Sequence, residues 1–374
     1  MEPESEIIRF IQTWLIVYAS LTYCFFTGKL VSPGKLRLLF ILPVVVLFVL
    51  LPLRLTSIHF SGTTGFFISW MASFKLLLFA LDKGPLASDP SISLACFCAA
   101  ASLPIKITPK QNIVEESAPP SLKPAMWYAV RAASMAVVAK LFAFRDQLHP
   151  TAMKFLKCFH IYLLLEFLLE VVRAAARAGL GIELEPQFND PHRTASLREF
   201  WGRRWNLMVT GILRPAVYEP VMSRSSGLLG RTNGQRFAVM VTFGVSAVMH
   251  ELIDYYLNRM HPTGKITAFF LLQGACVVAE TALRRRLNGK WRVPRKVSAS
   301  LTIWFVLSTA SWLFVPELYR GTVEARMFEE YAAVGEFIKS VTSGTIFRSF
   351  HGSASIHYFF KQIISFQLPI LNIQ

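Results

Sequence analysis

Charge is sparse in this chain, and cysteine sparser still. Only 17% of its 374 residues are Asp, Glu, Lys or Arg, well below the quarter or so typical of soluble domains, while 53% are hydrophobic. That balance excludes an ordinary water-soluble globule and points to a lipid bilayer. The five cysteines, Cys24, Cys96, Cys98, Cys158 and Cys276, all stand in apolar stretches and form no C-x-x-C pair. A disulfide framework and a cysteine zinc site are thereby excluded, and the cysteines read as packing residues. A Walker loop, a Rossmann glycine pattern, a G-x-S-x-G elbow and H-E-x-x-H are all missing, so no activated Ser or Cys nucleophile and no metal site is expected. No helix-turn-helix, zinc finger or RNA-recognition pattern accompanies the net charge of +16, and the basic residues flank apolar segments, so nucleic acid is not an expected partner. "MEPESE" at the start is acidic and "TYCFFTGK" offers no small-residue cleavage site, so the first apolar run reads as a span and not a cleaved signal.

What is present is a series of apolar runs. Residues 7–26, 38–53, 58–81, 125–144, 151–172, 237–257, 266–283 and 298–316 are each long and apolar enough to cross a bilayer. Stretches 92–104, 206–221 and 355–371 are shorter or interrupted by Pro and charge. They read as re-entrant or interfacial pieces, the last a candidate ninth span. The expected fold is all-α and polytopic, with about eight to nine crossings in one membrane-embedded domain over residues 1–374. The segment 106–124, "KITPKQNIVEESAPPSLKP", has a linker's composition and reads as a cytosolic loop; 173–236 reads as a cytosolic and interfacial region. No internal repeat is evident.

Basic loops stay cytosolic, so the lysines and arginines set the orientation. Lys29, Lys35 and Arg37 follow the first span, and Lys106, Lys110 and Lys123 precede the fourth. Arg173 to Arg204 follow the fifth, and Arg284, Arg285, Arg286, Lys290, Arg292, Arg295 and Lys296 follow the seventh. A lumenal N-terminus puts all of these on the cytosolic side and leaves the short loops 54–57, 145–150 and 258–265 in the lumen. Anionic head groups account for many of the cations; a soluble polyanion held by some of them is the sharper alternative.

An ionisable group inside an apolar span costs about 2.5–3.5 kcal/mol on insertion scales and marks a functional candidate. In "VTFGVSAVMHELIDYYLNR", residues 241–259, His250 lies roughly 20 Å along the helix from its cytosolic end and is followed by Glu251 and Asp254. Asp254 and Ser246 share its face, whereas Glu251 is turned about a quarter circle away. An imidazole takes a proton near neutral pH, and an acidic partner such as Asp254 would fix its tautomer. A histidine bonded only for helix packing is the plain alternative. "HELID" also fits the H-x-x-x-D of soluble plant acyltransferases, but their DFGWG is absent.

The second dense region is "LEPQFNDPHRTASLREFWGRRWN", residues 184–206. Pro186 and Pro191 mark a loop, and Ser196 with Glu199 forms a capping box. Trp201 and Trp205, four apart, suggest an interfacial amphipathic helix with Arg203 and Arg204 toward phosphates and Asn206 as the first polar group pointing inward. Anchoring to lipid and binding a ligand are both open for this stretch.

At these two regions the chain resembles a known family. "PQFNDPHRTASLREFWGRRWN" followed by "MHELIDYY" is similar to the membrane-bound O-acyltransferases, and more closely to the plant wax synthases, the long-chain-alcohol O-fatty-acyltransferases. "LPLRLTSIHF" (51–60) and "SFKLLLFALDKGPL" (73–86) carry the same look, and the likeness extends to about residue 320. It implies an intramembrane catalytic chamber in the endoplasmic reticulum membrane. His250 then stands at the family's intramembrane histidine and Asn206 at its preceding polar residue, with Asp254, Glu251 and Trp205 in support. The cosubstrate would be acyl-CoA and no other cofactor is expected, its phosphates near Arg203 and Arg204 and, further out, Arg224, Arg231 or Arg236. His250 would deprotonate a lipophilic alcohol. Asn206 would donate to the oxyanion or orient the thioester. A long-chain alcohol is the first acceptor expected; sterols, diacylglycerol and terpenoid alcohols are alternatives. No partner protein is inferred. The contrary class is a transporter or lipid-binding protein with His250 and Asp254 in a proton relay, for which the inverted repeats are lacking.

Overall fold

A computed structural model describes residues 6–89, 91–103, 122–180, 187–287 and 293–342. Among these residues the regular structure is helical throughout. The longer helices are α1 Glu6–Leu30, α2 Lys35–Arg54, α3 Ile58–Ala80, α4 Leu94–Ser102, α5 Leu122–Ala143, α6 Pro150–Leu180, α7 Leu207–Asn258, α8 Lys265–Leu287, α9 Arg295–Leu318 and α10 Val323–Thr342. Six of them, α1, α2, α3, α7, α8 and α9, are long and apolar enough to cross a membrane. The other two expected spans, 125–144 and 151–172, form α5 and α6 without joining this set. The described apolar part of α5 is the shorter Ala133–Phe142, and α6 carries Lys154, Lys157, Glu166 and Glu170 within its apolar run. Stretch 92–104 holds the short α4. Residues 106–121 of the expected loop, and 355–371, lie outside the described residues.

Two ends are defined by which turns meet. Glu6 at the start of α1 accepts from the backbone N–H groups of Thr56 and Ser57, and Arg259 at the end of α7 donates to the carbonyls of Pro52, Leu53 and Leu55. Two of the loops expected in the lumen, 54–57 and 258–265, therefore share one end with the start of α1. At the other end Arg37 clamps the carbonyls of Gly28, Val31 and Phe79, and Arg284 and Ser298 both donate to the carbonyl of Ala195. This is the basic end that the charge distribution assigns to the cytosol.

The largest apolar core joins α1 to α4 with the start of α7, through Leu21, Phe48, Trp70, Leu76, Phe97 and Leu213. Close approach of α3 to α7 is made possible by Gly65, where an added Cβ would lie 2.5 Å from Tyr256 Cδ2. The Tyr256 hydroxyl then donates to the Val49 carbonyl at 2.6 Å, so α2, α3 and α7 are locked together. Such locks cost no unpaired polar group in the interior. The helix carrying His250 is tied to α2 and α3 at this point.

Two further features shape the interior. At Gly230 (φ 74°) α7 doubles back, because Ser225 Oγ reaches the Gly234 carbonyl at 3.2 Å, whereas nine residues of straight helix would separate them by about 13 Å. The expected re-entrant piece 206–221 is thus the first limb of α7. The helices also contain π-helical turns at Gly65–Ala72, Phe200–Arg204, Arg214–Tyr218 and Ala310–Phe314. Each contributes residues to the wall of a single cavity.

Candidate active site

That cavity measures about 3070 Å³ and runs from an arginine-rich mouth at the basic end past His250 to Glu6, Thr56 and His59 at the other end. His250 is half-buried in its wall. Its Nδ1 lies 2.7 Å from the carbonyl oxygen of Ser246, one turn back. A carbonyl only accepts, so Nδ1 carries the proton and the neutral ring keeps its lone pair on Nε2. Aromatic rings hold the imidazole on three sides: Trp70 at 4.8 Å, Phe270 at 4.3 Å and Phe314 at 5.7 Å between centroids. Trp70 and Phe314 both come from π turns, which offset the wall residues by about one position from an α-helical register. The imidazole is therefore held in an aromatic pocket on the cavity wall.

Asn206 lines the same cavity. Its backbone is left-handed (φ 43°), a conformation that Asn tolerates better than most residues, and its Oδ1 caps α7 by accepting from the Val209 N–H at 3.4 Å. The segment that carries it is folded against 187–190: Asn189 N–H donates to the Arg204 carbonyl and Leu207 N–H to the Gln187 carbonyl, both at 2.9 Å. Arg204 closes this clamp with its guanidinium on Glu199 at 2.6 Å and on the carbonyls of Asn189 and Asp190. Burial pushes the Glu199 carboxyl up, but the Ala195 N–H and Arg204 outweigh it and hold the group below the usual carboxylate range. Glu199 is accordingly ionised at neutral pH.

Comparison with known proteins shows the family of the chain. The model of the "Membrane bound O-acyl transferase family" matches residues 184–272, a window that holds both Asn206 and His250. The chain is 44% identical over 335 residues to acyl-CoA–sterol O-acyltransferase 1 of Arabidopsis thaliana, covering 89% of this chain and 96% of that one. It is 40% identical over 355 residues to the long-chain-alcohol O-fatty-acyltransferase of Simmondsia chinensis, covering 92% and 99%. With the probable long-chain-alcohol O-fatty-acyltransferase 3 of Arabidopsis thaliana it shares 38% over 339 residues, covering 90% and 97%. The chain belongs to the membrane bound O-acyl transferase family. It is an O-acyltransferase, and the transporter reading falls away.

Within this acyltransferase the residues singled out from sequence have unequal parts. His250, Asn206, Trp205 and Arg203 all line the cavity. Asp254 does not orient His250: it is 1% exposed, accepts from Asn258 Nδ2 at 2.9 Å and faces Arg320 at 3.9 Å. Helical side chains lean toward the N-terminus, which carries the His250 ring back to Ser246 and away from the residue four ahead. Glu251 caps α8, accepting from Thr267 N–H and Oγ1, each at 2.9 Å. Arg204 spends its donors on the clamp and is 13% exposed, so it positions the segment and does not await a phosphate. Arg203, by contrast, is exposed at the mouth. Arg236, Arg284 and Arg285 line the cavity beside it, while Arg224 and Arg231 do not.

The Ser196 cap is present, with Glu199 N–H donating to Ser196 Oγ at 2.9 Å, but the Glu199 carboxylate reaches back to the Ala195 N–H at 2.9 Å and not to that of Ser196, so the expected box is half formed. The helix that follows is a single π turn, and its tryptophans face inward rather than toward lipid head groups. Trp205 stacks on Phe200 at 5.3 Å, and Trp201 donates to Gln273 Oε1 at 3.1 Å among Phe243, Phe269 and Phe270. Gln273 is fully buried and also donates to Thr309 Oγ1, so it ties the Trp201 wall to α9. Gln273, Trp70 and Phe314 stand in apolar spans with no charge to mark them, and the only sequence signal was the uncharged polar Gln273 within a membrane-length run.

Proposed function

We propose that the enzyme transfers an acyl group from acyl-CoA to the hydroxyl of a lipophilic alcohol, a long-chain fatty alcohol first of all, inside the endoplasmic reticulum membrane and with no further cofactor. The observation that carries this reading is the Nδ1 bond of His250 to Ser246, which leaves Nε2 free as a base on the cavity wall. Nε2 takes the alcohol proton, the oxygen attacks the thioester carbonyl, and the tetrahedral intermediate expels the CoA thiolate, which recovers the proton from the imidazolium. Asn206 supplies the amide that stabilises the oxyanion or orients the thioester. Arg203, with Arg236, Arg284 and Arg285, meets the CoA phosphates at the mouth, and the apolar interior takes the two chains.

A second acceptor class has its own support, since the relative sharing 44% of its residues with this chain bears the name of a sterol acyltransferase. Membranes from cells expressing the enzyme, given labelled palmitoyl-CoA with long-chain alcohols, sterols and diacylglycerol in parallel, should yield labelled ester with the long-chain alcohols. Label confined to steryl ester would replace the first acceptor by the second. No ester from any acceptor would overturn the proposed function.

A further inference from the structure

The far end of the cavity, opposite the arginine mouth, is polar; Arg9 lines it paired with Glu6 at 3.0 Å, and the catalytic scheme uses none of its groups. Building on the proposed acyl transfer to alcohols, we infer that this end is a second hydroxyl-recognition subsite, so that the enzyme favours lipophilic acceptors bearing a hydroxyl at each end. His59, His160, Tyr319 and Tyr331 all line the cavity there. The His160 side chain sits between two phenols, Nδ1 at 2.7 Å from Tyr319 and Nε2 at 2.9 Å from Tyr331. A neutral imidazole has one N–H and one lone pair, so one phenol donates to it and the other accepts. The accepting phenol keeps its own O–H, which no other group among the described residues takes up. A doubly protonated ring would free both phenol protons. In either state at least one donor is left over.

His59 supplies the complementary half. Its Nδ1 is held by Glu330 at 2.5 Å, the carboxylate that also accepts from Ser57 Oγ and the Ile58 N–H. Its Nε2 is buried and has no hydrogen-bond partner among the described residues. The His59 and Tyr331 rings are 4.9 Å apart, so the orphan nitrogen and the phenols belong to one cluster. Buried polar atoms in native proteins are nearly always satisfied, and those that are not call for a partner. A hydroxyl answers both groups at once, accepting from a phenol and donating to Nε2, or accepting from Nε2–H when the ring is charged. A hydrocarbon terminus would leave the cluster unpaired, and a carboxylate would face the Nε2 lone pair.

Distance is consistent with one elongated ligand. From His59 along α3 to Trp70, which touches the His250 ring, is roughly 15 Å. An α,ω-diol, or a sterol with a side-chain hydroxyl, reaches from the base to the cluster.

The test compares acceptors matched in length, an α,ω-diol and the corresponding monoalcohol, in membranes holding the full-length enzyme and labelled acyl-CoA. In the wild type the diol should show the lower KM at similar kcat, because the distant hydroxyl adds binding without touching the reacting atoms. In Tyr331→Phe and Tyr319→Phe the diol KM should rise about three- to tenfold, as for loss of one hydrogen bond, with monoalcohol kinetics unchanged. Two reactive ends favour the diol equally in every variant, so the change in the diol-to-monoalcohol ratio is the readout. Equal KM values for the two acceptors in the wild type, which needs no variant, would overturn the subsite, as would a preference for an ω-hydroxy acid over the diol. Absence of ester from every alcohol would instead strike at the acyl-transfer reading itself.

Discussion

The two stretches densest in polar signal, 246–258 and 187–206, use their charges in opposite ways. Around His250 the charged neighbours are turned away from the ring into other helix contacts, and the imidazole is held by a backbone carbonyl and three aromatic rings. Around Asn206 the charges build the support itself, through Glu199, Arg204 and the carbonyls of Asn189 and Asp190. A base working in a low-dielectric chamber gains from neutral walls, where a nearby fixed charge would bias its protonation. A loop at the membrane surface has no deep core to hold it and relies on charge-assisted hydrogen bonds. Proximity in sequence to a reacting group is thus a poor guide to participation in the reaction.

The largest test of that contrast is His250→Ala. Acyl transfer should fall about 10²–10⁴-fold, the usual contribution of a general base, while abundance in the membrane stays near wild type. Substantial turnover by a well-expressed variant would remove His250 from the chemistry. Arg204→Gln comes next. Losing the charged bonds of the clamp should destabilise the segment by about 1–3 kcal/mol, lower the abundance and impair both substrates alike. Because Glu199 is held below the usual carboxylate range, the clamp should persist above that range and loosen as pH falls through the lowered value, which thermal melts in detergent across acid pH would register. Donor-selective weakening in Arg204→Gln would return this arginine to the phosphates.

Arg203→Gln should do what its neighbour does not. The acyl-CoA KM should rise several-fold with the alcohol KM and the abundance unchanged, and the difference from wild type should shrink in high salt. Equal, salt-independent effects on both substrates would make Arg203 an anchor. Smallest of all on catalysis should be Asp254→Asn and Glu251→Gln, with kcat near wild type and a lower melting temperature, since the one is an interior hydrogen-bond acceptor and the other a helix cap worth about 1 kcal/mol. A kcat loss approaching that of His250→Ala in Asp254→Asn would restore the paired-acid arrangement.

Much of this was legible before any coordinates. Hydropathy locates α1, α2, α3, α7, α8 and α9, and the cost of burying an ionisable group singles out His250. Ser196 and Glu199 announce their cap. The Glu199–Arg204 pair was not legible, because residues five apart face different sides of an α-helix and meet only across a π turn. Asp254 misled for a related reason: helical spacing establishes a shared face but not the lean of the side chains along it. Trp70 and Phe314 carry no local signal at all, since an aromatic in an apolar span looks the same whether it meets lipid or an imidazole. The His160 cluster draws on α6, the turn after α9 and α10, and only tertiary packing assembles it.

The π turns at Gly65–Ala72 and Ala310–Phe314 have a bearing on how such a chamber changes over evolutionary time. A π turn accommodates one residue more than an α turn, so a single-residue deletion there can be absorbed by reverting to α geometry, with the helix keeping its course. The cost is local: side chains inside the turn shift by one position, about 100° around the axis, while those beyond it keep their bearing. In α9 such an event would carry Phe314 off the His250 ring and present a different residue to the acceptor. Length variation confined to these turns would therefore redraw substrate preference while leaving the base, its carbonyl anchor and the arginine mouth where they are.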